Sequence, residues 1–193
     1  RSARIGFASS EAEDFVAQFH ENMERLEPGR KRAWLLLTYG DHLLQQRETE
    51  EIEAVQRGDG LEVYEALQEA AEWASSAGDE RILSFALGYL SRLYQSENRI
   101  TEATSLAHEA LRRADAIGDP AIQYRWNWQL GRLLRDSRKT DSAIAAYERA
   151  VNQLTSIKGS LHTGDLDSGQ SFRDLAGAVY LELADLYLQR SDS

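Results

Sequence analysis

Cysteine is absent from the 193 residues. No disulfide framework, thiolate nucleophile or Cys-ligated zinc site can therefore be built. Proline occurs only twice. Ala, Leu, Glu, Arg and Gln dominate, so helix formers outweigh helix breakers and an all-α chain is expected. Long alternating runs of Val and Ile are missing, which speaks against a sheet. No apolar run approaches the ~18 residues of a membrane span, and no signal-peptide pattern is present. The chain begins at Arg1 rather than Met and reads as an excised piece. The expectation is a soluble protein, cytoplasmic by default, with export left open. Gly-rich phosphate loops are also lacking, because Gly58 and Gly60 alone do not make one. His20, His42, His108 and His162 belong to no metal-binding motif of the H-E-x-x-H kind. The 32 carboxylates make chance acid pairs plentiful. No catalytic group, metal or cofactor is expected.

The formal net charge is −10, which argues against nucleic acid as a general partner. The charge is uneven. Residues 121–158 hold seven Lys/Arg and three Asp/Glu, giving +4, so the rest of the chain carries −14.

The most informative stretch runs from Pro120 to Lys158 and reads as two helices packed back to back, joined by the polar break Ser137–Asp141. Small residues at Gly131, Ala143 and Ala150 let two backbones approach. Large ones at Leu130, Leu134 and Tyr147 fill the seam. Forty residues upstream the pattern recurs. Ile122, Leu130, Arg132, Leu133, Ala143, Ala150 and Ile157 fall on Ile82, Leu90, Arg92, Leu93, Ala103, Ala110 and Ile117. Gly78-Asp79 likewise precedes Gly118-Asp119 by forty, and both aspartates stand where helix N-caps belong. Pro120 suits the first helical position.

The rest of the chain reads in the same terms. Residues 1–9 are expected to fray. Ser10 and Glu13 have the capping-box form, and Phe15, Phe19, Met23 and Leu26 form one apolar stripe of core type. Pro28-Gly29 ends that helix. Helices are expected at about 31–47, with Trp34, Leu36, Leu37, Gly40, Leu43 and Leu44, and at 61–77, with Val63, Leu67, Ala70, Ala71 and Ala74 inward and Trp73 beside them. Residues 48–60 read as a helix extension and turn inserted in this first pair. The tripeptide Arg57-Gly58-Asp59 reads as a polar turn rather than an adhesion motif. Further helices are expected at 80–96, 100–117, 120–137 and 140–158. A Gly-rich loop is expected at 159–170 and a last helix at 171–190, carrying Tyr180, Leu183, Ala184 and Tyr187.

The spacing of Leu130-Gly131, Leu134, Ala143, Tyr147 and Ala150 resembles the tetratricopeptide repeat (TPR), with Asn127 in place of its leading aromatic and Leu134 in place of its Tyr. The period of 40 exceeds the usual ~34 of that repeat. The resemblance implies a TPR-like right-handed α-solenoid of antiparallel helix pairs, about eight helices in one domain over 10–193, with the last helix as a cap. Packing positions would be Gly40, Leu90, Ala103, Ala110, Leu130, Gly131, Ala143, Tyr147, Ala150, Leu183 and Ala184. The repeat pattern places Arg125, Trp128, Arg132 and Arg135 on the concave face. Phe85, Arg92 and Gln95 join them by the same count, and Asp41 and Asp185 hold the equivalent site on flanking helices. Arg92 and Arg132 are expected to stack as a ladder. Guanidinium groups around a Trp suit an acidic or aromatic-bearing peptide. The competing reading is that these arginines pair with carboxylates on adjacent helices.

The run 143–158, then 171–189, further resembles the segment before the caspase-like domain of bacterial TPR–CHAT proteins. That resemblance implies a non-catalytic interaction scaffold that governs a peptidase in a longer chain. The family's catalytic His and Cys have no counterpart among these residues. Self-association or a purely structural spacer are the alternatives. A ligand-binding or enzymatic helical bundle would need ionisable groups converging inside, and none stands at the inward positions of the clear repeats.

Overall fold

The computed structural model describes residues 19, 21–23, 25–49, 59–160 and 168–191. Expectations for the frayed terminus, Ser10, Glu13 and Phe15, and for 50–58 and 161–167, lie outside the described residues. Among these the chain is all helical. The helices are α1 (Arg30–Thr49), α2 (Asp59–Ala77), α3 (Glu80–Ser96), α4 (Ile100–Ile117), α5 (Pro120–Asp136), α6 (Thr140–Ser160) and α7 (Ser168–Ser191). Residues 19, 21–23 and 25 are also helical. Among the described residues no helix is long and apolar enough to cross a membrane. Each helix packs on the next, and α3 also touches both α1 and α5.

Two boundaries differ from expectation. Asp59 and Gly60 open α2 rather than forming a turn, and residues 168–170 open α7 rather than closing a loop. A single glycine costs a helix only about 1 kcal/mol, which the flanking helical residues absorb.

The turns show why the helices stop where they do. Asp79 Oδ1 accepts from Ile82 N at 3.1 Å, and Asp119 Oδ1 accepts from Ala121 N at 2.9 Å, so both aspartates cap. Pro120 takes the first turn of α5. Gly78, Asn98, Gly118 and Arg138 all have positive φ, between 57° and 70°. They stand twenty residues apart. Asp79, Arg99 and Lys139 each donate a backbone N–H back to the carbonyl of Ala74, Tyr94 and Leu134, which closes the helix ends in the Schellman manner. The beat of forty in the sequence is thus two beats of twenty, visible at Gly78 and Gly118 and hidden at Asn98 and Arg138. Arg138 carries a Cβ in a conformation that disfavours one. Arg138→Gly is expected to stabilise the chain by about 0.5–1 kcal/mol and raise the thermal midpoint. Asn98→Gly should gain less, because Asn tolerates that conformation better.

The interior is continuous in two clusters. One gathers α1, α2, α3, the C-terminal half of α4 and Ile122 and Trp126 of α5. The other gathers Ala103 and Ala107 of α4 with α5, α6 and α7. Phe19 is buried and stacks on Tyr39 with centroids 3.7 Å apart. Leu90, Ala103, Ala110, Leu130, Ala143, Tyr147, Ala150 and Leu183 are all buried. Close approach at the glycines is real. A Cβ on Gly40 would stand 2.6 Å from Leu67, and one on Gly131 would stand 2.7 Å from Tyr147. Ser91 occupies in α3 the place of Gly131 in α5, and its hydroxyl donates to Ala103 O at 2.8 Å. Ser84 does the same to Ala110 O. Counting up α3 is therefore counting down α4.

Three expectations need correction. Ala184 is exposed, because α7 buries the neighbouring stripe Ala176, Val179, Leu183 and Leu186. Tyr180 and Tyr187 stay 48% and 37% exposed for the same reason. Trp34 is a rim residue of α1 rather than a core one. Asn127, in the slot of the missing aromatic, is buried yet satisfied. It donates to Gln123 O and Gln153 Oε1 and accepts from Arg149 Nε, all at 3.1 Å.

Candidate functional site: a cationic cleft on an aromatic floor

Gly88 starts the site. It has no side chain, so the Trp126 ring lies flat against α3, where a Cβ would meet ring carbons at 2.2–2.4 Å. Trp126 Nε1 donates to Ser84 Oγ at 2.9 Å, which leaves no unmet donor on that ring in the core. Phe85 and Tyr89 meet the Trp126 ring edge-on, each with centroids 5.9 Å away, and Trp34 lies beyond Phe85.

Over this floor opens a cleft of about 320 Å³ lined by Asp41, Gln45, Tyr89, Arg92, Tyr124, Arg125, Trp126, Trp128, Gln129 and Arg132. Side chains from α1, α3 and α5 meet there. Arg92 donates to Asp41 Oδ1 at 2.6 Å. Arg132 lies over the Trp128 ring at 4.1 Å and holds both oxygens of Glu182 on α7, the shortest contact being 2.8 Å. Arg125 stands apart. Among the described residues it has no carboxylate partner; it lies over Phe85 at 5.9 Å, with Tyr124 close enough to favour its charge. Trp128 Nε1 is shielded from solvent and also has no acceptor among the described residues. Three cations thus face two carboxylates, Asp41 and Glu182, with one positive charge in excess.

The protonation states are fixed well away from neutrality. Burial, reinforced by Asp41, pushes the Tyr89 hydroxyl up to about 12, so it remains a donor. Burial alone would raise the Glu182 carboxyl. The bonds from Arg132 and Tyr147 and the fields of Arg132 and Arg135 overcome it and hold the group below its ordinary 4.5. Burial opposes the Arg125 charge, but Tyr89, Tyr124 and Asp41 outweigh it and raise that pKa. The cleft offers fixed cations, a neutral phenol and flat apolar faces. That set suits a carboxylate attached to an apolar or aromatic body.

Four of the seven expected groove residues, Arg92, Arg125, Trp128 and Arg132, line the cleft. Phe85 is packed in the aromatic cluster beside it. Gln95 is tied to Asp136 and Gln129, both at 2.8 Å. Arg135 lies on the rim, shared between Asp136 and Glu182 at 3.3 Å. Asp41 takes the expected place. Asp185 is exposed, and Glu182, three residues earlier, meets Arg132 instead. Arg92 and Arg132 are each held by a carboxylate of a flanking helix. Reading the sequence missed Tyr89, Tyr124, Gln45, Gln129 and Glu182. Gly88 beside Tyr89 was the available signal for the floor, whereas no residue pattern sets the register of α7 against α5. Comparison with protein-family models finds no match to this chain, and comparison with curated proteins likewise finds none.

Proposed function

We propose that the chain is a non-catalytic protein-interaction module that takes an acidic peptide segment in the cleft between α1, α3 and α5. The observation that carries this reading is Arg125, a cation over an aromatic floor with no carboxylate of its own among the described residues. Arg125 is solvent-exposed at the mouth of the cleft, so its guanidinium is open to a partner from outside. A cation left over in a concave site recruits an anion. The Trp128 Nε1–H beside it, which has no acceptor among the described residues, supports the same reading. The contacts of consecutive helices, with α3 touching α1 and α5, fit a TPR-like right-handed solenoid of antiparallel pairs whose odd helices line the concave side. The likeness of 143–158 and 171–189 to the region before a CHAT domain suggests a regulatory array in a larger caspase-like protein.

A test uses a short Asp/Glu-rich peptide with one aromatic residue against its Asn/Gln counterpart. The acidic peptide is expected to bind with a Kd that weakens as salt rises. Arg125→Ala is expected to lower affinity by roughly 10- to 100-fold, the range for losing a charge-assisted pair. Trp128→Ala should cost a comparable factor. Equal binding of both peptides, or unchanged affinity in both variants, overturns the proposal.

A further inference from the structure

The outer face of α7 carries a second feature, separate from the cleft. Among the described residues six large apolar side chains are exposed, and four of them, Tyr180, Leu181, Tyr187 and Leu188, lie on this one helix. Leu181 is 70% exposed and Leu188 64%, more than surface chance would leave together. Helical phase places all four, with exposed Ala184, within roughly a third of the helix circumference. A Cβ added to Gly177, two turns before Ala184 on this stripe, would meet nothing within 4 Å, so the face is open there too. The charged neighbours flank the stripe: Arg190 lies over the Tyr187 ring at 5.2 Å, and the Tyr187 hydroxyl donates to Glu148. Glu182 is held by Arg132 and Arg135, and Arg190 reaches Asp141.

The order along the stripe is symmetric about Ala184. Leu181 and Tyr187 stand three residues either side, Tyr180 and Leu188 four, and Gly177 and Ser191 seven. A stripe with this internal symmetry is complementary to itself run in the opposite direction. Across a two-fold axis at Ala184, Tyr180 meets the second copy's Tyr187 and Leu181 meets its Leu188. The small residues at the centre let the backbones close. Residue i meets j and j meets i, as a two-fold interface requires. Each of the four side chains offers on the order of 100 Å², so two copies would bury about 800 Å² from these side chains alone, the scale of a weak, reversible contact. We infer that the outer face of α7 binds α7 of a second copy of this chain, antiparallel, in a two-fold dimer.

Sedimentation equilibrium of the whole chain tests this, and the lack of any cysteine makes cross-linking clean. A concentration-dependent dimer with a Kd in the micromolar range is expected. Leu181→Asp with Leu188→Asp, both on exposed positions, should leave the helical circular dichroism unchanged and weaken the dimer more than 10-fold. A single Ala184→Cys should oxidise to a covalent dimer, because residue 184 meets itself on the axis. A single Gly177→Cys should not, whereas Gly177→Cys mixed with Ser191→Cys should. A monomer at every concentration up to ~100 µM, well above a micromolar Kd, overturns the inference. So does dimerisation untouched by the double Asp variant, or Gly177→Cys self-linking as readily as Ala184→Cys.

Discussion

Gly88→Ala is expected to destabilise the fold by about 3 kcal/mol, at the upper end of the range for overpacking a filled core. A methyl group on a mid-helix glycine ordinarily gains about 1 kcal/mol of helix propensity, so the sign here is inverted by contact. The added Cβ would lie 2.2 Å from the Trp126 ring. That ring cannot slide away cheaply, because Phe85 and Tyr89 pack against it and Ser84 holds its Nε1. The measurement is a denaturant midpoint for Gly88→Ala in two backgrounds. With Trp126→Leu, whose shorter side chain does not reach α3, the same change should become neutral or stabilising. Equal costs in both backgrounds would show that the close approach does not limit this position. The cleft should suffer with the fold, since Trp126 and Tyr89 are its floor.

The second large effect is centred on Glu182. One carboxylate accepts from Arg132 through two nitrogens, from Arg135 at 3.3 Å and from the Tyr147 hydroxyl at 2.6 Å. Glu182→Ala removes the acceptor common to all three and is expected to cost about 2–4 kcal/mol, while Tyr147→Phe, which deletes one donor, should cost about 1. The pH dependence carries a definite sign. The folded pKa of Glu182 is depressed, so its contribution is complete above the ordinary value of 4.5 and is lost as pH falls through the lower folded value. Glu182→Gln should therefore flatten the loss of stability on acidification below about pH 4.5. At the other extreme, burial and the bond to Glu182 raise the pKa of Tyr147 above its ordinary 10.0. Its contribution is present below pH 10 and is lost as pH climbs through the raised value. A Glu182→Gln chain as acid-sensitive as the parent would show that the Glu182 cluster does not govern this limb of the curve.

The helical nature of the chain, the ends of α3, α4 and α5 and most of the buried small residues could be read directly from sequence. Helix periodicity and caps are local properties, and Asp79, Asp119 and Pro120 act within a few residues of where they stand. Positions such as Ala143 and Ala150 were also legible, because a small residue at a fixed spacing on a helix marks a close backbone. The candidate site was half legible. Arg92, Arg125, Trp128 and Arg132 came from repeat position, but their partners did not. Glu182 reaches Arg132 across fifty residues, and a shift of less than one turn in α7 would have brought Asp185 there instead. The same ambiguity misplaced Ala184. On a helix with apolar residues on two adjacent faces, periodicity shows both stripes and does not say which one is covered. Asn127 shows the converse limit. A buried amide satisfied by Gln123, Gln153 and Arg149 looks, in sequence, like a polar residue in the wrong place.

The four left-handed residues at 78, 98, 118 and 138 have a consequence for how this chain can change in length. A lone inserted or deleted residue inside a helix rotates everything beyond it by about 100° and turns the buried stripe outward. Removing or copying a whole block between equivalent corners, such as Gly78 and Gly118, restores both the corner and the phase of the helices beyond it. Growth and shortening are therefore quantised: the architecture tolerates units of forty far better than units of one.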